Sequence, residues 1–337
     1  SFLGRYSKVI ELAGLGLITG MLLLHIIYDK KPPFKRHFAN LIHIIFISLI
    51  PSMIMANVLY NQNYLLTAWT QRGIYFYVLY FTLHRMKFNP KDLEQAFYIF
   101  TSIYIILYMV QYIIYPVKLI DVKILYDRNT IRIYMSGITY VVLTYFLCLQ
   151  NFFRTLRNKY LFLCIVSLII FVLLGGRQLI AAVVAITLMY LVISKHIKSR
   201  FLVYLLIGIA IVAIIYLFQN IFSGIIEATV RTKQEGLQNI RIRALIYYFT
   251  NYFKSNWAYI FGNGVPNLKS PYGQSMAYIR EDYNLVDIGL AGLYFCYGVL
   301  FVISSIGIII KAYITKVEGS KRYLKFFLTQ VTLSILT

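Results

Sequence analysis

Charge is scarce in this chain. Only 13% of its 337 residues are Asp, Glu, Lys or Arg, against about a quarter in a soluble domain. With 60% hydrophobic residues and a mean hydropathy of +0.69, that scarcity excludes a soluble globular domain and a disordered one. Cysteine is scarce too. Cys148, Cys164 and Cys296 are odd in number and lie inside apolar runs, without CxxC spacing, which excludes a disulfide framework and a zinc-ribbon pattern. Histidine stops at five residues, none of them between 223 and 285. His25 and His43 fall inside apolar runs with no third ligand nearby in sequence, so polar packing is favoured over a metal site.

What the chain has in quantity is apolar runs. About 20 such residues cover the roughly 30 Å of a bilayer's hydrocarbon core. Runs near that length occupy 9–28, 38–57, 67–86, 96–116, 133–150, 160–174, 178–194, 201–222 and 286–310, and another begins near 322. The expected fold class is all-α: a polytopic transmembrane helix bundle, one integral membrane domain over 1–337, with one long extracytoplasmic segment at 223–285 that contains interfacial helices. Val9–Tyr28 is too long for a signal-peptide core and lacks a small-residue cleavage site after it, so it is read as a first helix. Ser1 in place of Met and the apolar run up to Thr337 read as a piece of a longer chain.

Basic residues orient the runs. One alternating set of short connections holds Lys30, Lys31, Lys35, Arg36, Arg85, Lys87, Lys91, Arg154, Arg157, Lys159, Lys195, Lys198, Arg200 and the 311–325 group. Short loops rich in Lys and Arg stay cytoplasmic, whereas long loops cross largely regardless of charge. Residues 1–8, 58–66, 117–132, the turn 175–177 and 223–285 are therefore expected to face outward. The net charge of +21 would suggest nucleic acid in a soluble protein. Here topology and anionic headgroups account for the cytoplasmic lysines, and no nucleic-acid partner is expected. The outer arginines need another explanation.

Between Lys159 and Lys195 lie 35 residues that must go out and return. Two helices of about 16 residues reach only about 24 Å each, so the turn Gly175–Gly176–Arg177 is expected below the outer membrane surface. An arginine at that depth costs about 3 kcal/mol or more unless it meets a cavity, a carboxylate or an anionic ligand. A ligand contact is favoured for Arg177, with snorkelling as the alternative. For Arg72, near the outward end of 67–86, snorkelling and function stand level.

Asn239–Phe253 reads as a helix lying against the membrane. Arg241 and Arg243 lie about 200° apart around it, so both cannot point into one site. Tyr247, Tyr248 and Trp257 can stack on sugar rings or belong to an interfacial aromatic belt. Phe261–Gly262–Asn263–Gly264–Val265–Pro266 breaks the helix with a turn whose N–H groups can hold phosphate. Asp287, at the start of the last complete span, is either a helix cap or dipole partner or a catalytic base.

This layout resembles the bacterial Wzy-type repeat-unit polysaccharide polymerases of the O-antigen polymerase and ligase superfamily. Gly175–Gly176–Arg177–Gln178, Arg241 and Arg243 followed by Tyr247, Phe261–Gly262–Asn263–Gly264, and Asp287–Ile288–Gly289 with Tyr297–Gly298 carry the resemblance. It implies transfer of a growing glycan from its undecaprenyl-diphosphate carrier onto the next lipid-linked unit, at the outer leaflet of the bacterial cytoplasmic membrane. Arg177 would bind diphosphate and take part in catalysis, Arg243 would bind diphosphate, and Arg241 and Arg72 are further diphosphate candidates. Asp287 would act as base or position the acceptor, and Tyr247, Tyr248 and Trp257 would hold sugar. The implied transfer needs no cofactor and no metal. Its partners would be the undecaprenyl-diphosphate-linked oligosaccharide, membrane lipids, a flippase and a chain-length regulator.

Ligases of the superfamily place a working histidine in the long outer segment, and 223–285 has none, which favours polymerase over ligase. Segment 58–66 carries no acid, which argues against transferases that use polyprenyl-phosphate sugars through a carboxylate in the first outer loop. A transporter or flippase for an anionic lipid-linked glycan would also need submerged arginines, together with inverted repeats and broken helices. The two halves show no matching repeat. No span carries the repeated polar face of a channel.

Overall fold

The apolar runs form helices, and the computed structural model describes residues 2–28, 37–119, 122–127, 129–193, 208, 216, 219–236, 239–279, 283 and 285–336. In chain order they are α1 (Phe2–Tyr28), α2 (Ala39–Tyr60), α3 (Tyr64–Thr70), α4 (Arg72–Tyr75), α5 (Val78–Arg85) and α6 (Pro90–Ile113). A hairpin of β1 (Lys123–Asp127) and β2 (Thr130–Tyr134) follows, then α7 (Ile138–Thr155), α8 (Asn158–Leu174), α9 (Arg177–Ile193) and α10 (Gln219–Glu235). The remaining helices are α11 (Ile240–Asn251), α12 (Asn256–Phe261), α13 (Pro271–Ile279), α14 (Gly289–Ile314) and α15 (Tyr323–Leu336).

Four helices are long and apolar enough to cross a membrane among the described residues: Val9–Tyr28, Ala39–Tyr60, Pro90–Ile113 and Gly289–Ile314. Their faces suit that setting. On α2 the exposed residues are Ile47, Ile50, Ile54 and Val58, while Ser48, Ser52 and Ala56 are buried. On α14 Leu300, Ile303, Ile306 and Ile310 are exposed and Ser304 is buried. Apolar outside and small or polar inside is the pattern of helices that pack in lipid.

Three expectations are corrected. The run 67–86 is not one helix but three short ones, α3 to α5, because Gln71, Phe76 and Tyr77 interrupt it. Lys123–Asp127 and Thr130–Tyr134 are strands with antiparallel register, Lys123 opposite Tyr134 and Asp127 opposite Thr130, so the chain is not purely α-helical and the span placed at 133–150 starts at Ile138. The alternation Ile124, Tyr126 and Ile131, Ile133 gives period 2, masked in sequence by the apolar run that follows. Most of the run placed at 201–222 lies outside the described residues. The two short helices flanking Gly175–Gly176 are present at 17 residues each.

The chain divides into two compact units. The first comprises Ser1–Val9, Asn89–Gln234 and Lys316–Ser334. Its centre is α7, buried all round from Val141 to Gln150. Such a helix is apolar on every face, and its few hydroxyls are paired: Thr144 Oγ1 accepts from Thr101 at 2.7 Å, and Tyr145 Oη meets Thr187 Oγ1 at 2.9 Å.

The second unit comprises Ile10–Phe88, Glu235–Thr315 and Ile335–Thr337. Here α14 is broken at Gly298, whose φ of 78° and ψ of −172° are not helical. The break frees carbonyls of the preceding turn, and the segment after α12 fills it. Asn263 N–H donates to Phe295 O at 2.7 Å, Gly264 N–H to Cys296 O at 2.9 Å, and Ser52 Oγ of α2 to Cys296 O at 2.8 Å. The approach is close enough to require glycine on both sides. A Cβ on Gly262 would stand 2.6 Å from Gly298 N, and one on Gly298 would stand 2.3 Å from Ile260 O.

Gly262→Ala or Gly298→Ala therefore combines left-handed backbone strain with backbone overlap, at an expected cost of about 2 kcal/mol or more. Gly73→Ala, with open space around its Cβ, should leave the thermal midpoint in detergent within about 2 °C. Equal midpoints for all three variants would contradict the packed break.

Candidate functional site

In the second unit the chemistry-bearing side chains gather on α11 and on the 3₁₀ turn Leu285–Ile288 that packs against it. Asn239 caps α11, its Oδ1 accepting from Arg241 N–H at 3.0 Å. This start places Arg241 and Arg243 in the first turn, where no acidic residue occurs. The positive end of the helix dipole lies there, so two guanidinium groups add to it. Arg243 is exposed and Arg241 half-buried. The Arg243 guanidinium lies 5.5 Å from the centre of the Tyr283 ring, and that ring lies 5.2 Å from Tyr247.

Asp287 stands exposed on the adjoining turn, while Leu285 and Ile288 pack into the core around Tyr248. The cap residue of α14 is Ile288, which has no side-chain oxygen and makes no cap bond. The cap reading of Asp287 is thereby removed. A dipole partner and an acid–base group remain.

The sugar-binding set divides. Trp257 is exposed, its ring 5.9 Å from Phe261, and Tyr247 is half-buried beside Tyr283. Tyr248 is instead core: it is 1% exposed and its hydroxyl donates to Tyr283 O at 2.7 Å. Packing replaces its expected sugar contact.

Arg72 is also corrected. Its Nε donates to Glu11 at 2.8 Å and its Nη1 to Trp69 O at 3.0 Å, with the guanidinium 5.5 Å from the Trp69 ring. A carboxylate far away in sequence neutralises it, so it drops from the diphosphate candidates.

The glycine turn 262–264 does not form a phosphate cradle. Gly262 N–H donates to Ala258 O, and the next two N–H groups are spent on α14. Around it runs a polar network that the sequence did not announce. Gln62, 0% exposed, uses its whole carboxamide: Nε2 donates to Thr67 Oγ1 and Val265 O, both at 2.8 Å, and Oε1 accepts from Asn267 N–H at 2.9 Å and Ser270 Oγ at 2.6 Å. Tyr60 stacks on Tyr272 at 3.9 Å. Burial, then the neighbouring Tyr60, pushes the Tyr272 phenol up, so it stays a neutral donor to Gly264 O. Asn263 Nδ2 and Gln71 Oε1 are buried in this region with no hydrogen-bond partner.

Arg177 belongs to the first unit. It is the first residue of α9, half-buried, and that first turn carries no acid. Its Nη1 reaches Thr229 Oγ1 of α10 at 3.3 Å. Gly175 before it has φ +63°, a left-handed backbone that glycine adopts without strain. A second arginine, Arg132 of β2, lies against this glycine; nothing in the local sequence of 117–132 marks that long-range contact. Among the described residues no group of three or more His, Cys, Asp or Glu is placed to hold a metal ion.

The chain matches no protein-family model, no curated protein and no solved structure.

Gln62→Leu keeps volume but removes the partners of Val265 O and Asn267 N–H, both part-buried, while the Ser270 hydroxyl keeps its bonds to Asn267 O and Gly273 N–H. The expected loss is about 3 kcal/mol or more, read as a lower thermal midpoint and faster proteolysis within 262–270. An unchanged midpoint would show that this network does not hold the segment.

Proposed function

We propose that the protein polymerises undecaprenyl-diphosphate-linked oligosaccharide repeat units at the extracytoplasmic face of a bacterial cytoplasmic membrane. One observation carries the reading: Arg177, Arg241 and Arg243 stand in first helical turns that contain no acidic residue. Cations at the positive end of a helix dipole are locally unfavourable, and an anion there relieves the cost. Guanidinium pairs with phosphate in a bidentate, charge-assisted way, which suits a diphosphate leaving group in an apolar, helical protein.

In this reading Arg243 takes diphosphate beside Asp287, Arg241 on another face of α11 is the weaker candidate, and Arg177 is the diphosphate ligand of the first unit. As the carrier–sugar bond breaks, negative charge builds on the diphosphate oxygens, and fixed guanidinium groups stabilise it without reorganising. Asp287 accepts the proton of the acceptor hydroxyl, for which a carboxylate suffices when the leaving group is good. Tyr247 and Trp257 offer ring faces to sugar. A flippase and a chain-length regulator are the partners such a polymerase would work beside.

The runner-up is transport of an anionic lipid-linked glycan. The break of α14 at Gly298 and the interrupted run α3–α5 favour it, since broken helices recur in transporters. The saturated carbonyls at the α14 break favour the polymerase, because a coordinating site would use those groups.

In a transfer assay with full-length protein, Arg177→Ala or Arg243→Ala should lower kcat/KM by about a hundredfold or more, and Asp287→Asn should lower kcat by about a hundredfold. Each variant should insert and express as wild type does. Wild-type rates in Asp287→Asn would remove the base assignment, and failure of Arg177→Ala to insert would make that residue structural. One transfer to a foreign acceptor, in place of repeated additions, would identify a ligase.

A further inference from the structure

The hairpin β1–β2 has no place in the chemistry above, yet its bonds lead to the turn that carries Arg177. Thr130 Oγ1 donates to Leu173 O at 3.2 Å, and Arg132 Nε donates to Leu174 O at 2.9 Å. Both carbonyls belong to the last turn of α8, where intrahelical donors run out. The Arg132 side chain covers Gly175, with Cδ and Nε 3.5 Å from where a Cβ would stand. Its Nη1 donates to Asp127 Oδ2 across the hairpin at 2.8 Å, and its guanidinium lies 5.0 Å from the centre of the Tyr134 ring. The side chain is only 12% exposed. The hairpin also grips α10: Asn129 Nδ2 donates to Asn220 O at 3.0 Å. That helix carries Thr229, the hydroxyl that Arg177 touches.

A Gly–Gly pair is the most permissive backbone a turn can have. Left alone, it would let Arg177 sample many directions. The hairpin fixes the helix end before the pair and the helix whose hydroxyl meets Arg177 after it. Only an arginine can do this from position 132, because Nε must reach Leu174 O while Nη1 reaches Asp127; lysine offers one point charge. Asp127 offsets the second guanidinium, so the pinning does not add an unbalanced positive charge beside Arg177.

We infer that Arg132 is the positioning residue for Arg177, and that the hairpin serves as the mount for the arginine turn. The inference rests on the reading of Arg177 as a diphosphate ligand. Its mechanical half can be tested independently of that reading.

The experiment compares full-length wild type, Arg132→Ala, Arg132→Lys and Asp127→Asn in detergent. Amide exchange is read over residues 172–180, and steady-state kinetics are read with a lipid-diphosphate-linked repeat unit. Arg132→Ala should speed exchange in the turn by about tenfold and raise KM about tenfold with kcat within about threefold. Arg132→Lys should recover part of both, since one bond to Leu174 O survives. Asp127→Asn keeps the Arg132–Leu174 O bond and should change each by less than about threefold; if Arg132→Ala does not fold, Arg132→Lys carries the test, with exchange in the turn expected to rise by more than about threefold and unchanged exchange overturning the inference. Unchanged exchange in Arg132→Ala would overturn the inference, and so would a loosened turn with wild-type KM. Absence of any glycan product with wild type would sink the polymerase reading instead, leaving exchange to decide whether Arg132 holds the turn.

Discussion

A backbone polar group without a partner is costly wherever water is excluded, and the second unit is organised around meeting that demand at one place. The break of α14 at Gly298 exposes carbonyls inside an apolar helix. Two successive N–H groups of 263–264 and the hydroxyl of Ser52 take them up. Non-helical backbone at such a position is tolerated only where protein surrounds it. Glycine on both partners lets the chains approach, Gln62 holds the continuation of the segment, and the aromatic core of Tyr248, Tyr252 and Phe295 closes over it. With α14 and the core fixed in this way, α11 and the Asp287 turn have a rigid support.

The same constraint separates structural polar groups from chemical ones. Gln62 and Tyr248 are buried and their polar atoms serve the fold. Arg72 is polar and partly exposed, but Glu11 answers it. Arg243 and Asp287 differ: both are exposed, and Arg243 sits where its own helix dipole opposes it. The Tyr283 ring face meets its guanidinium, and in the proposed reading an anionic substrate would offset its charge.

Much of the helical frame was legible in the sequence because long apolar runs have one stable form in lipid. Val9–Tyr28 and the short pair around Gly175–Gly176 fell close to where hydropathy put them. The hairpin was not legible: Ile131 and Ile133 continue into the apolar start of α7, and a hydropathy window averages over a period of two. Interruption of the 67–86 run was hidden for a similar reason, since Gln71 is a single polar residue in an apolar stretch. At the candidate site, Arg243 and Asp287 could be picked out by residue type. The partners that decide roles, such as Glu11 for Arg72 and Phe295 and Cys296 for the glycine turn, are long-range contacts that no local pattern encodes.

The central claim is that this protein builds glycan from a lipid diphosphate. The direct measurement is incubation of purified full-length protein with one lipid-diphosphate-linked repeat unit, without nucleotide or added metal, followed by separation of the glycans by size. A ladder rising in steps of one repeat unit is the expected result. No new glycosidic bond, with labelled lipid-linked glycan crossing a liposome membrane instead, would contradict the account and assign the arginines to transport.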